Sequence, residues 1–403
     1  MVRRGLSRPG WVTTAPLRYT WSSNRASNRA GTLPDVFVSK EDIVWNGTSR
    51  REFMAGVAAI GWGAAFADLS AQNALPPKSP IGIGGAAMGA LNRGLPGVFE
   101  GLRSSPIRYV EYCRMMGAGG IQAGFNTQLP EIRRKLDELG MYYEGNAALP
   151  ATIDGDTAPF EQSLLAAKEL GATCVRAVSR SLPGGTGRRY ETYTSLAQYQ
   201  EWERTANAIV ERVLPIAEKH RIAIALENHK DRTAEDHAAF LKRVSSEWLG
   251  SLIDPGNNMS FMESPEHTVN LLAPYAKAVS LKDMGVAPYD GGFLLSEVVF
   301  GTGATDQKAL FEIVRKVNPR IQATEELITR DPLRVPVLTD DYYRSFPASV
   351  RARRDDWMTM VRARQTKLPI VSTLSPTEQL KAEEDNHRAT LAWGIKNLTF
   401  PRA

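Results

Sequence analysis

Ile222-Ala-Ile-Ala-Leu-Glu227-Asn-His-Lys-Asp231 runs five apolar residues straight into five polar ones. An unbroken apolar run of that length suits a strand buried on both faces, as in a parallel sheet covered by helices. Its abrupt polar end marks the side on which barrels of this kind gather their chemistry. The pattern recurs downstream. Leu249–Asp254 leads into Pro-Gly-Asn257-Asn258, Ala276–Leu281 into Lys282-Asp283, and Arg320–Glu326 into Leu-Ile-Thr-Arg330-Asp331. Upstream, Ile81–Ala87, Gly120–Phe125, Met141–Ala148 and Ala172–Ser179 also read as strands.

Between the strands, Leu129–Leu139, Phe160–Leu170, Leu196–His220, Ala234–Val244, Pro265–Tyr275 and Gln307–Val317 repeat apolar residues at three-four spacing, which predicts helices. Thr233 with Asp236 three residues on, and Ser264 ahead of Pro265, supply helix starts. Eight strands in βα alternation predict an α/β fold, a (β/α)8 TIM barrel over residues 80–347. Residues 348–403 read as a helical C-terminal extension. Tyr342–Gln365 looks helical with a solvated basic face, and Ser375-Pro-Thr-Glu378 opens a last helix with a capping box.

The chain has 403 residues, 43% hydrophobic and 23% charged, with a formal net charge of +5. That charge belongs to the start of the chain. Residues 1–67 hold nine Lys and Arg against four Asp and Glu, and the remainder holds 40 of each. A neutral body removes the main support for a nucleic-acid partner. Cys113 and Cys174 predict two buried thiols rather than a disulfide framework. No long apolar run follows the leader, so no membrane domain is expected.

Thr48-Ser-Arg50-Arg51-Glu-Phe-Met54 precedes the soft apolar stretch Ala55–Ala67, which ends in Ala65-Phe66-Ala67. An arginine pair, a Gly/Ala-rich run and a small-x-small end predict a twin-arginine signal peptide over residues 48–75. The partner implied is the twin-arginine export machinery, and the location periplasmic or otherwise exported. Residues 1–47 read as an unstructured extension or the product of an upstream start codon.

Strands ending in Glu227, Asp254 and Glu326 place three carboxylates around one barrel mouth. Like charges that close repel one another and resist desolvation. A divalent cation is one remedy, and oxygen ligands suit Mg²⁺ or Mn²⁺. Ion pairing with Lys282, Arg330 and Lys230 is the other. Five histidines, three of them on helices, exclude a His-rich zinc site, and no G-x-S-x-G elbow supplies a serine nucleophile.

Gly187-Arg-Arg-Tyr190-Glu191-Thr, Glu227-Asn-His-Lys-Asp, Asp254-x-Gly-Asn-Asn, Lys282-Asp-Met, Gly292-Phe-Leu-Leu-Ser-Glu297 and Ile328-Thr-Arg330-Asp-Pro-Leu resemble the sugar phosphate isomerase/epimerase family, with its xylose-isomerase-like barrel. The similarity runs from about residue 80 to about 347. Within the family it resembles the branch of 3-oxo-isoapionate decarboxylase and of lyases that deglycosylate 3-keto sugars. The resemblance implies Glu227, Asp254 and Glu326 as metal ligands, and Glu227 and Glu326 as a proton-transfer pair. It also implies His229, Asn257, Arg189 and Arg330 as substrate contacts.

One position departs from the pattern. The family commonly has a histidine ligand two residues before the strand-seven lysine, and here that residue is Ser280. Three outcomes stay open: a weaker metal site completed by water, His229 as substitute ligand, or a metal-free site with Lys282 as base or electrophile. The expected function is a sugar isomerase or epimerase working through a metal-stabilised enediolate on a small carbohydrate. A lyase acting on a 3-keto sugar or sugar acid shares that intermediate, and the serine keeps an inactive carbohydrate-binding barrel in view. The sequence also leaves a homo-oligomer open.

Overall fold

The computed structural model describes residues 75–93 and 105–398. The twin-arginine stretch and the residues before it lie outside the described residues. Eight parallel strands close into a barrel: β1 (Gly82–Gly84), β2 (Gly120–Ala123), β3 (Tyr142–Asn146), β4 (Cys174–Ala177), β5 (Ala223–Glu227), β6 (Leu249–Ile253), β7 (Ala276–Leu281) and β10 (Ala323–Glu325). Each falls inside one of the eight stretches read from the sequence. Strand β1 pairs with both β2 and β10, which completes the circle.

Closure depends on glycine at one point. The Tyr142 side chain crosses the barrel, and its hydroxyl donates to the carbonyl of Ala323 at 2.5 Å. A Cβ on Gly120 would overlap the Tyr142 ring, and one on Gly82 would meet the Gly120 carbonyl. Gly120→Ala is therefore expected to cost on the order of 1–3 kcal/mol of overpacking strain. An unchanged urea midpoint would show that Tyr142 does not fill that space.

The helices predicted over Leu129–Leu139, Leu196–His220, Ala234–Val244 and Gln307–Val317 appear with those bounds. Phe160–Leu170 appears as Ala158–Glu169, and Pro265–Tyr275 as Pro265–Leu272 followed by a tighter turn. Thr233 and Ser264 cap their helices by accepting from the N–H of Asp236 and of His267, each at 3.1 Å. A further helix, Pro106–Met115, lies before β2. Cys113 and Cys174 are buried and free.

Two regions differ from the sequence reading. After β7 the chain makes an antiparallel excursion, β8 (Asp283–Tyr289) and β9 (Gly292–Val298), which β11 (Leu333–Val335) extends to a three-stranded sheet. Tyr342–Gln365 is not one helix with a solvated face. Two short 3-10 turns lead into a helix over Arg354–Ala363. Its inner side buries Trp357, Met358 and Val361 against Phe293, Leu295 and Val286 of the small sheet.

The last helix, Pro376–Asn397, starts with the expected capping box at Ser375 and Glu378. It packs on the barrel wall. His387 Nδ1 lies 2.5 Å from Glu325 Oε1 on β10, with both side chains fully buried. Glu383 accepts from the N–H groups of Ala90 and Leu91 just after β1. Among the described residues, no helix is long and apolar enough to cross a membrane.

Candidate active site

Side chains alternate across a strand, so residues two apart share a face. On β10 and beyond, Glu325 turns outward to His387, and Glu326 turns inward. Ser280 and Lys282 likewise share the inward face at the end of β7. Glu227 closes β5, and Asp254 follows β6 directly. One carboxylate oxygen from each of Glu227, Asp254 and Glu326 lies within 4.8 Å of the others, and all three residues are buried.

Lys282 stands among them. Its Nζ is 2.7 Å from Asp254 Oδ2, 3.0 Å from Glu326 Oε2 and 4.0 Å from Glu297 Oε1 on β9. Glu227 is held by the guanidinium of Arg176 on β4 and accepts from Asn257 Nδ2 at 3.1 Å. Arg330 grips Glu297 with two bonds, Nη2 to Oε1 at 2.6 Å and Nε to Oε2 at 3.2 Å. Lys230 donates to Asn257 Oδ1.

These contacts set the charges. Burial alone would push the Lys282 ammonium down, but Asp254, Glu326 and Glu297 together hold it above its ordinary value. Burial also opposes the charge on Glu326, yet Lys282 and Arg176 keep that carboxyl well below the usual range. Asp254 is pushed up to about 7 by burial, with Glu326 and Glu227 adding to the rise. Lys230 is lowered to about 8 by burial and by Lys282. His229 is pushed far below its usual value by burial and the charges of Lys230 and Arg176, so its imidazole is neutral near pH 7.

The structure gathers most of the residues singled out from the sequence. Glu227, Asp254, Glu326, Lys282, Asn257 and Arg330 belong to one cluster of ion pairs and hydrogen bonds, with His229 beside it. Asn257 is fully buried beneath the mouth, where it ties Glu227 to Lys230. Ser280 Oγ reaches Glu326 Oε2 at 3.4 Å. His229 is not among the donor atoms that converge with the three acids.

Arg189 is not in the cluster. Its guanidinium donates to the carbonyl of Ser345 at 2.6 and 3.2 Å, lies 3.3 Å over the Tyr199 ring, and pairs with Asp236 at 3.4 Å. These contacts fasten the 341–345 turn to the barrel, away from the acidic cluster.

Arg176, Lys230 and Glu297 complete the cluster and were not assigned to the site from the sequence. Arg176 had a readable signal, a lone arginine inside the short apolar strand Cys174–Ala177. Its side chain is 19% exposed and lines an open cavity of about 310 Å³ with Asn146, Leu149 and Arg180. A second cavity of about 410 Å³ adjoins at Asn146, reaching Phe125 and Tyr109.

By spacing, this buried acidic triad could hold a metal, and three carboxylates are a suitable hard donor set. The surroundings do not fit a resident ion. Two of the three acids already hold the Lys282 ammonium, the third holds Arg176, and the fourth position offers only the hydroxyl of Ser280.

A family model described as xylose isomerase-like TIM barrel matches residues 107–340, more than half of the chain. The chain belongs to that family. A 3-oxo-isoapionate decarboxylase of Pectobacterium atrosepticum is 30% identical over 130 residues, covering 32% of this chain and 47% of that protein. The chain thus spans about half the length of that relative. The chain is also similar to two solved structures. A D-psicose 3-epimerase in the presence of D-fructose is 14% identical, covers 73% of this chain and 94% of that one, and has a TM-score of 0.47. A 3-keto-D-glucoside 4-epimerase from E. coli is 15% identical, covers 71% of this chain and 100% of that one, and has a TM-score of 0.43.

Proposed function

We propose that this protein is an enzyme that moves a proton at the carbon next to the carbonyl of a sugar or keto-sugar, and so isomerises or epimerises it through an enediolate. The observation that carries this reading is the gathering of Glu227, Asp254 and Glu326 around Lys282 at the barrel mouth, with Arg176 joining them to an open cavity. Membership of the xylose isomerase-like family supports a carbohydrate substrate.

The substrate enters beside Arg176 and turns its carbonyl oxygen toward the cations. Glu227 takes the proton from the neighbouring carbon. The C–H electron pair becomes a C=C bond, and the oxygen takes up negative charge. Fixed cations in a water-poor site are suited to stabilise that charge as it develops. In an isomerase Glu227 delivers that proton to the adjoining carbon; in an epimerase the ionised Glu326 passes a proton drawn from solvent to the opposite face of the same carbon, and Glu227 gives its own up to solvent. Neutral His229 and the rim residue Arg330 meet substrate hydroxyls. The decarboxylase relative favours a second reading, a lyase that reaches the same enolate by losing CO₂.

Incubating 3-keto sugars and ketoses with the protein in D₂O tests the reading. Deuterium is expected beside the carbonyl, with an epimer or isomer accumulating. Release of CO₂ or of an aglycone points to the lyase, and a wild-type protein that exchanges no proton on any of these sugars overturns both.

Export is part of the same proposal. Arg50→Lys with Arg51→Lys is expected to leave the precursor in the cytoplasm, where cell fractionation would find it, because the paired arginines are what the pathway reads. Normal export of that variant would remove the twin-arginine assignment.

A further inference from the structure

We propose that Lys282 is the resident cation of this site, standing where a divalent ion would otherwise bind, so that the chain binds no metal at its acidic triad. The exclusion of metal stands on geometry alone, while the role of Lys282 toward an enediolate rests on the proposed reaction.

Charge balance disfavours a divalent ion there. Glu227, Asp254, Glu297 and Glu326 face Arg176, Lys230, Lys282 and Arg330, four carboxylates against four cations. Next to them, Asp231 and Arg232 add one charge of each sign. The formal charges of the cluster therefore cancel before any ion enters. A divalent ion would bring two uncompensated charges into a buried space, and would also have to shed its own water there.

The backbone at the lysine is also fixed. Its backbone N–H donates to Gln307 Oε1 at 3.1 Å, and its carbonyl accepts from Gln307 Nε2 at 2.9 Å. Gln307 is itself buried and bonded to Thr305. The next residue, Asp283, accepts from the N–H groups of Gly301 and Gly303 and from the Thr305 hydroxyl. The chain is clamped on both sides of Lys282, and the side chain is 2% exposed. An ion that displaced the ammonium would have to break its pairs with Asp254 and Glu326.

The donor set is poor for a divalent ion as well. Ser280 is buried and spends its hydroxyl on Glu326. His229, the imidazole adjoining the cluster, does not converge with the acids. A lysine held this way acts as a fixed positive charge. It can balance an oxyanion without giving up its proton and without forming an imine.

The experiment is a Mn²⁺ titration of the EDTA-dialysed full-length protein, read by metal content after gel filtration and by melting temperature. Wild type is expected to retain no stoichiometric Mn²⁺ and to melt at the same temperature with or without it. Wild type that binds about one Mn²⁺ per chain and melts higher as Mn²⁺ is added overturns the proposal. The double variant Ser280→His with Lys282→Gln restores a nitrogen donor and removes the competing charge. It is expected to gain Mn²⁺ and a Mn²⁺-dependent rise in melting temperature. A double variant that folds and still ignores Mn²⁺ also overturns the proposal; if it does not fold, the wild-type titration decides. Absence of sugar turnover would sink the proposed reaction without touching the metal result.

Discussion

Replacing Lys282 by methionine is expected to lower the unfolding free energy by about 3–5 kcal/mol at pH 8. Methionine fills much of the same space, but it leaves Asp254 and Glu326 buried without the charge that now lies 2.7 and 3.0 Å away. The loss should shrink on acidification. Without lysine, burial raises both carboxyls above the ordinary value of about 4. A group whose folded pKa is raised adds stability that is present below its unfolded pKa and lost as pH rises through the folded one. The methionine variant should therefore recover stability toward pH 5.

Wild type follows the opposite sign at Glu326. That carboxyl is held low, so its contribution is present above about pH 4 and disappears on further acidification. Asp254, raised to about 7, works against folding as pH climbs from about 4 through 7, in wild type as in the variant. Urea unfolding of both proteins at pH 5 and pH 8 measures the difference. A methionine variant as stable as wild type at pH 8 would show that Lys282 does not neutralise these acids.

The barrel was legible chiefly in its later strands, which are short apolar runs with polar ends, as at Ile222–Glu227 and Leu249–Asp254. The excursion of β8 and β9 was harder to see. Asp290-Gly291 is a two-residue turn signal of the kind that joins hairpin strands. The strands beside it lack a clean alternation, since Met284, Val286 and Leu295 are buried on one face while Asp283 and Ser296 are buried on the other. The Tyr342–Gln365 region misled through its arginines. Arg353 looked solvated but reaches Glu263 at 3.0 Å, and the hydrophobic residues between the arginines make the contact with β8 and β9.

Site residues divide in the same way. Glu227, Asp254 and Glu326 stood out because a carboxylate at the end of an apolar strand has few structural explanations. Arg189 carried the same kind of motif signal, but only tertiary packing shows that its donors go to Ser345 and Asp236. Lys282 was visible as a residue, but its role was not. Whether a lysine pairs with one acid or sits among several depends on distances between strands that are about 30 to 45 residues apart in sequence, and no local pattern encodes those.

Glu227→Gln and Glu326→Gln are expected to separate the two readings of the reaction, each lowering the rate of its own proton transfer by about 10²–10⁴-fold. Glutamine keeps the shape of glutamate and can still accept from Asn257 Nδ2 at position 227, so the loss would report a missing base rather than a collapsed cluster. An epimerase needs two bases, one on each face of the substrate. Both variants should then fail to interconvert epimers. Each should still exchange deuterium slowly when given the one epimer whose proton faces the remaining carboxylate. A lyase needs a single group, either to take the proton whose loss forms the enolate or to protonate the enolate that loss of CO₂ leaves. In that case one variant should lose product formation, and the other should lose only what its disturbed ion pairs cost. Glu227 is the stronger candidate for that single base, because Arg176 links it to the open cavity while Glu326 is bound to Lys282. Measuring exchange from both epimers, with melting temperatures to confirm folding, decides the matter. If neither variant changes exchange from either epimer, the proton is moved by some other group and this assignment of the two glutamates fails.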